Sequence, residues 1–403
     1  MNHIEKLLQT LAPKGVEFRK LGEVINILKG KQLNKELLLD YGEYPVMNGG
    51  IYASGYWNEY NTDCPKIIIS QGGASAGYVN YMTSKFWAGA HCYAIELNSE
   101  KLNYKFLYYF LKNSQTILMK SQFGAGIPAL NKADIETLTI PIPPLEIQQE
   151  IVKILDAFTE LNTELNTELN ARKKQYEYYQ NMLLDFNDIN QNHKDAKMSV
   201  KTYPKRLQTL LQTLAPKGVE FRKLGEVCDF QKGKSITKKA VTFGKVPVIS
   251  GGRQPAYYHN EANRSGETIA ISSSGVYAGY VSYWDIPVFL ADSFSVSPKQ
   301  KTLMPKYLFH YLTTQQDAIH ATKSAGGIPH VYSKDLQNFL IPIPPLEIQQ
   351  EIVKILDQFS LLTTDLLAGI PAEIKARKKQ YEYYREKLLT FKPLTPNKEV
   401  DKE

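Results

Sequence analysis

The sequence predicts an α+β protein: two pseudo-two-fold-related, mixed α/β globular domains separated by two long antiparallel helices that form a coiled coil. Three observations carry this reading. Residues 7–24, LLQTLAPKGVEFRKLGEV, return unchanged as residues 210–227. A second run, IPIPPLEIQQEIVKILD, fills residues 140–156 and again residues 341–357. Between these shared flanks lie two diverged inserts, residues 25–139 and 228–340. A duplication of this length outranks any local signal, and 403 residues suit two or three domains.

Residues 1–11 place Ile4, Leu7, Leu8 and Leu11 on one helical face, and Pro13 and Gly15 end that helix. Within the inserts, Pro45-Val46-Met47-Asn48-Gly49-Gly50 aligns with Pro247-Val248-Ile249-Ser250-Gly251-Gly252. Ile67-Ile68-Ile69-Ser70 likewise matches Ile269-Ala270-Ile271-Ser272, and each is followed by a second short β-like run. Branched and aromatic runs punctuated by Gly, Asn and Ser read as strands and turns. Residues 103–115 and 305–316 read as helices.

Each Pro-Pro pair launches a long helix, with Pro144 and Glu146 suited to the first turn. Ile147, Ile151, Ile154, Phe158, Leu161 and Leu165 recur at steps of three and four, and Tyr176, Tyr179 and Leu183 extend the stripe. About 40 residues of helix span about 60 Å, more than a globular domain needs, so a helical partner is expected. The second copy repeats the stripe through Ile348, Ile352, Ile355, Phe359 and Leu362, but Gly369-Ile370-Pro371 predicts a kink or break. Residues 159–170 are TELN three times. That run reads as amphipathic helix or as an adjustable spacer, each unit adding about 6 Å.

These signals divide the chain into a first domain with its N-terminal helix (1–145), a central helix (146–186) and a polar linker (187–204). A second domain with its own leading helix (205–346), a C-terminal helix (347–391) and a tail (392–403) follow. The net charge of +7 suits a polyanionic partner without requiring one. Three widely spaced cysteines support neither a disulfide framework nor a zinc site. With no apolar signal core and no long apolar run, the chain is expected to be intracellular and cytoplasmic.

No catalytic motif survives inspection. Gly233-Lys234-Ser235 resembles the end of a phosphate-binding loop, but Cys228 stands where its first glycine belongs. Residues 124–129 fit G-x-G-x-x-A, yet no strand precedes them, Pro128 interrupts them, and residues 324–330 of the second copy lose the pattern. The histidines lack metal-ligand spacing and no G-x-S-x-G elbow occurs. Two diverged copies without a catalytic cluster argue for binding over catalysis, with no cofactor or metal of the chain's own. Two domains at the ends of a stiff helical pair suit a split target, such as DNA with two half-sites at fixed spacing.

These features resemble the specificity subunits of type I restriction–modification systems, over nearly the whole chain. The telling residues are Ile140-Pro141-Ile142-Pro143-Pro144-Leu145-Glu146 with Gln149 and Ile151, and the same run from Ile341. Ala12-Pro13-Lys14-Gly15-Val16-Glu17 before Leu21-Gly22-Glu23, with its copy from Ala215, resembles the family's domain start. Gly126-Ile127-Pro128 with Asp134, and Gly327-Ile328-Pro329 with Asp335, resemble the pattern closing each variable domain. The resemblance implies two target recognition domains, each reading half of a bipartite DNA site. It implies helices that set the spacing and dock two DNA adenine methyltransferase subunits, to which restriction subunits add. Methylation and ATP-dependent cleavage then belong to the partners, which bind S-adenosylmethionine, ATP and magnesium.

Polar and basic residues of the glycine-rich loops are the candidate DNA contacts. In the first domain these are Lys29, Lys31, Asn48, Gln71 and Ser75; in the second, Lys232, Lys234, Ser250, Arg253, Ser272 and Ser273. Gln71 and Asn48 suit adenine and Arg253 suits guanine, unless the serines and Asn48 only close turns. Candidate docking or spacer residues are Leu145, Ile147, Ile151, Leu346, Ile348 and Ile352, with Arg172 and Arg377 of the repeated Arg-Lys-Lys runs. Two other classes compete: a compact restriction or methyl-transfer enzyme, and a coiled-coil scaffold displaying two protein- or glycan-binding domains.

Overall fold

The structure, a computed structural model, describes residues 2–123, 128–186, 203–299, 301–324, 327–364 and 369–394. The Gly-rich run at 124–127, residues 325–326, the linker from 187 to 202 and the tail from 395 lie outside the described residues. The chain divides into two compact units: residues 1–166 with 374–403, and residues 167–373.

Unit 1 opens on α1 (Asn2–Leu11), which packs Ile4, Leu7 and Leu8 into the core, whereas Leu11, expected on the same face, is exposed. Eight short strands follow: β1 (Glu17–Lys20), β2 (Ile25–Lys29), β3 (Tyr44–Met47), β4 (Gly55–Trp57), β5 (Lys66–Ser70), β6 (Val79–Met82), β7 (Trp87–Ala88) and β8 (Cys92–Leu97). Then come α2 (Tyr104–Asn113), α3 (Gln115–Lys120), α4 (Lys132–Glu136), β9 (Thr139–Ile142) and α5 (Leu145–Leu184). Strands pair in the order β2-β8-β5-β6 and β4-β3-β7, and β1 pairs with β9. The central β5 is a continuous apolar run, Ile67-Ile68-Ile69, because both of its faces are covered. Pro141 is tolerated in β9 because its sheet has only two strands. Asn103 starts α2 by accepting hydrogen bonds from the backbone N–H groups of Lys105 (2.9 Å) and Phe106 (3.0 Å).

Unit 2 repeats this plan. It contains α6 (Lys205–Leu214), β10 (Glu220–Lys223), α7 (Leu224–Val227), β11 (Cys228–Lys232), β12 (Val246–Ile249), β13 (Tyr257–His259), β14 (Thr268–Ser272), β15 (Val281–Trp284), β16 (Phe289–Leu290) and β17 (Ser293–Pro298). It continues through α8 (Pro305–Thr314), α9 (Gln316–Ala321), α10 (Ser333–Leu336), β18 (Leu340–Ile343) and α11 (Leu346–Thr364); the chain then enters α12 (Ile370–Leu388), which from Ile374 on belongs to unit 1. The sheets of unit 2 are β11-β17-β14-β15, β13-β12-β16 and β10-β18, the same order with the same senses of pairing. Diverged inserts thus keep one fold because matching strand positions stay buried in both copies although the residues differ.

The helices follow the expected stripe except at Leu362, which is exposed while Thr363 is buried, and with two refinements. Pro144 lies one residue ahead of α5 instead of in its first turn, and its carbonyl accepts from the N–H groups of Ile147 (3.0 Å) and Gln148 (3.2 Å). The interruption at Gly369-Ile370-Pro371 is a helix start. The Gly369 carbonyl accepts from the N–H of Ala372 (2.9 Å), and Pro371 occupies the first turn of α12, where its missing N–H costs nothing. Residues 365–368 lie outside the described residues.

Each unit contains one helical pair of mixed origin. In unit 1 the start of α5 meets the end of α12: Phe158 stacks on Tyr384 (centroids 5.6 Å) and touches Tyr381 (6.3 Å), while Leu388 and Leu389 join the core around Ile147 and Ile151. That order of contacts makes the pair antiparallel. In unit 2 the end of α5 meets α11, with Tyr179 stacked on Phe359 at 5.0 Å. The TELN run lies wholly within α5, and the division between the units falls inside it, at Asn166 and Thr167.

Candidate nucleic-acid interface

Four loops converge at one edge of each unit. In unit 1 they are 29–31, 48–52, 71–75 and 88–92, backed by 128–131. The Gln71 N–H donates to the His91 carbonyl (2.8 Å) and the Gly73 N–H to the Pro128 carbonyl (2.8 Å). The Lys31 N–H donates to the Ala88 carbonyl (2.8 Å) and the His91 N–H to Asn48 Oδ1 (3.2 Å). Any Cβ on Gly30 would lie 2.1 Å from the Gly89 carbonyl oxygen, so glycine is required for this approach. All five residues proposed from the sequence, Lys29, Lys31, Asn48, Gln71 and Ser75, therefore belong to one cluster. Lys29 and Lys31 are exposed, while Asn48, Gln71 and Ser75 are half-buried. Asn48 spends its carbonyl on the loop itself, whereas Gln71 keeps a buried Oε1 without a hydrogen-bond partner.

Unit 2 builds the same constellation from other residues. The Gly233 N–H donates to the Ser293 carbonyl (2.8 Å), Lys234 to Leu290 (2.9 Å), Ser273 to Asp292 (3.0 Å) and Gly275 to Pro329 (3.0 Å). Arg253 is exposed and lies over the rings of Tyr277 (4.9 Å) and Tyr280 (5.6 Å). Lys232, Lys234, Ser250 and Ser273 share this edge. Ser272 differs: it is buried, and its hydroxyl donates to the Ser250 carbonyl (3.1 Å), which tethers two loops. Sequence reading missed His91, Asp292, which accepts from the Ser274 hydroxyl, and Tyr332, which stacks on His330 (6.0 Å). Alignment of the two copies around Gly89 and Ala291 points to His91 and Asp292 but not to Tyr332.

The duplicated junction is a second construction made twice. Gln148 is fully buried and makes three hydrogen bonds: Nε2 donates to the carbonyls of Pro143 (2.7 Å) and Lys101 (2.8 Å), and Oε1 accepts from the Asn103 N–H (2.7 Å). Gln349 repeats them with Pro344 (2.7 Å), Thr302 (2.8 Å) and the Met304 N–H (2.9 Å). The last residue of the duplicated run anchors the domain from the helix side. Asp156 accepts from Lys105 Nζ (2.7 Å) and the Tyr109 hydroxyl (2.5 Å). Asp357 accepts from Lys306 Nζ (2.6 Å) and faces His310 Nε2 at 3.0 Å. Burial works against the Asp357 carboxylate, but the contacts with His310 and Lys306 outweigh it and hold the group below its usual range.

These seats decide where the proposed docking residues go. Ile147, Ile151, Ile348 and Ile352 are fully buried within their own units. They are taken up in seating the helices and leave no surface for another subunit. Leu145 is exposed and Leu346 half-buried. Arg172 pairs with Glu168 along the helix (3.5 Å), and Arg377 donates to Gln380 (3.3 Å). Cys64, Cys92 and Cys228 are free thiols, and burial pushes Cys92 and Cys228 up to about 12. Among the described residues no group of three or more His, Cys, Asp or Glu could hold a metal ion, and no helix is long and apolar enough to cross a membrane.

Two copies of one loop-bearing α/β domain, each seated on a long helix by the same glutamine and aspartate, define a class. The model of the type I restriction modification DNA specificity domain matches residues 13–174 and 216–376, and the chain belongs to that family. It is 34% identical to a putative type I restriction enzyme specificity subunit of Haemophilus influenzae, over 96% of this chain and 98% of that protein. It is 30% identical to a type I restriction enzyme specificity subunit of Escherichia coli, over 98% of each. The crystal structure of a type I restriction-modification S subunit from Mycoplasma genitalium superposes with a TM-score of 0.66 at 25% identity. That match covers 93% of this chain and 96% of the other.

Proposed function

We propose that this chain is the DNA-reading, non-catalytic subunit of a type I restriction–modification complex. Each loop cluster reads one half of a bipartite duplex site. The helices fix the spacing between the halves and dock two adenine methyltransferase subunits, to which restriction subunits add. One observation carries the reading: the same multi-loop edge is built twice on an unchanged scaffold from side chains that differ. Gln71 and the Arg253–Tyr277 pair illustrate this. A molecule selected for one ligand would keep the loops alike, and one selected for a split asymmetric target would vary the loops and keep the seats. Docking of partners is assigned to the exposed helix residues, including Leu145 and the Arg-Lys-Lys runs, since the isoleucines are internal.

The test is to co-express the chain with a type I methyltransferase and map methylated adenines. A split motif with one adenine in each half is expected. Methylation of a single continuous motif, or none, would sink the proposal.

A further inference from the structure

The two units differ in charge far more than in fold along the segment that leads away from the loop cluster. Aligned through Lys29 with Lys232 and Gly42 with Gly244, the segment between the first long strand and the central loop carries three cations and three acids in unit 1: Lys29, Lys31 and Lys35 against Glu36, Asp40 and Glu43. Its counterpart in unit 2 carries Lys232, Lys234, Lys238, Lys239 and Lys245, and no acid occurs between Phe230 and Asn260. Lys239 stands where unit 1 has Glu36, Thr242 where it has Asp40, and Lys245 where it has Glu43. All five lysines are exposed.

The backbone of this segment is held at several points. Arg264 Nη2 donates to the carbonyls of Gln231 (3.1 Å) and Lys232 (3.1 Å). Ile236 packs against the cluster of Val248, Phe289 and Ala291. The buried His259 lies with Nδ1 3.1 Å from both the N and the O of Thr242. Gly244 lies so close to the His259 carbonyl that a Cβ would come within 2.2 Å of it. This pinning throws Phe243 outward, 93% exposed, between Thr242 and Lys245.

We propose that residues 232–245 form a backbone-gripping arm. Its lysines neutralise DNA phosphates beside the half-site read by unit 2, so this unit supplies the larger share of salt-dependent affinity. The corresponding segment of unit 1, with balanced charge, adds little, and its half-site depends more on base contacts. The arm has this role only if the domains read DNA as proposed above.

The test uses the full chain and a roughly 30-base-pair duplex of arbitrary sequence, titrated from about 50 to about 200 mM salt. Every phosphate that a lysine neutralises steepens the fall of log affinity with log salt by about 0.9. The double variant Lys239→Gln/Lys245→Gln should therefore flatten that plot by about two, and lose about tenfold less affinity than wild type across the same range. The reverse exchange in unit 1, Glu36→Lys/Glu43→Lys, should steepen it by a similar amount. Lys217→Gln/Lys223→Gln removes equal charge elsewhere on unit 2 and should change nothing. An unchanged slope in Lys239→Gln/Lys245→Gln, or equal flattening in Lys217→Gln/Lys223→Gln, overturns the arm while the DNA-reading function stands. Should Lys239→Gln/Lys245→Gln fail to fold, an unchanged slope in Glu36→Lys/Glu43→Lys overturns it. Absence of any wild-type binding to DNA removes both.

Discussion

At the scale of single residues, the shared flanks are explained by side chains that no substitute can replace in both polarity and reach. Gln148 and Gln349 satisfy one donor and two acceptors each, at the point where strand becomes helix. Gln349→Ala should destabilise unit 2 by about 3 kcal/mol, since it strands the buried Pro344 carbonyl and removes two part-buried hydrogen bonds. Chemical denaturation followed by probes in each unit should show the effect confined to unit 2. A titratable case lies in unit 1. Lys112 Nζ donates to the Val79 carbonyl (2.7 Å) and to Gln115 Oε1 (2.8 Å). Burial, with help from the nearby Arg385 charge, pushes its ammonium down to about 8. The unfolded chain then binds more protons than the folded one between about 8 and the ordinary 10.5, so unit 1 gains stability as pH rises through that window. The gain is on the order of 1–2 kcal/mol after solvent screening. Lys112→Met should remove this slope; a variant as pH-dependent as wild type would show that Lys112 is not its source.

At the scale of elements, the TELN run is the clearest experiment. Along it, Thr159 and Thr163 donate back to the carbonyls of Leu155 (2.9 Å) and Thr159 (2.9 Å), and Asn162 to that of Phe158 (2.9 Å). These bonds are local to the helix, while Thr159 also faces the Tyr109 hydroxyl (3.5 Å), so a later unit is the one to delete. Deleting one unit shortens the helix by about 6 Å and should shorten the methylated motif's spacer by one to two base pairs, at about 3.4 Å each. An unchanged spacer would show that the run is not the ruler. Elements of this kind were legible in the sequence because their cause is local: periodic apolar residues, Pro-Pro before Leu145, Gly369 before Ile370. That the two long helices pair antiparallel was legible from their shared apolar stripe; which residues meet, Phe158 with Tyr384 and Tyr179 with Phe359, was not, because no local pattern encodes those separations. The site was half legible. Glycine spacing marked the loops, but whether Ser272 faces outward or tethers Ser250 depends on its burial.

At the scale of the whole molecule, the two loop clusters stand on separate compact units, so each should be alterable without the other. Arg253→Ala should relax one half of the methylated motif and leave the other intact, as read by sequencing of modified sites. Relaxation of both halves would contradict independent reading. The return of the C-terminal segment into unit 1 has a consequence for biosynthesis. The Val16 N–H donates to the Lys392 carbonyl (2.9 Å), the Leu394 N–H donates to the Val16 carbonyl (2.9 Å), and Phe391 lies against Phe106. As the ribosome delivers the chain, the unit begun first waits for residues made after unit 2. Until they emerge, the apolar faces of α1, α2 and α5 stay open, and those faces are where a chaperone should bind the nascent subunit.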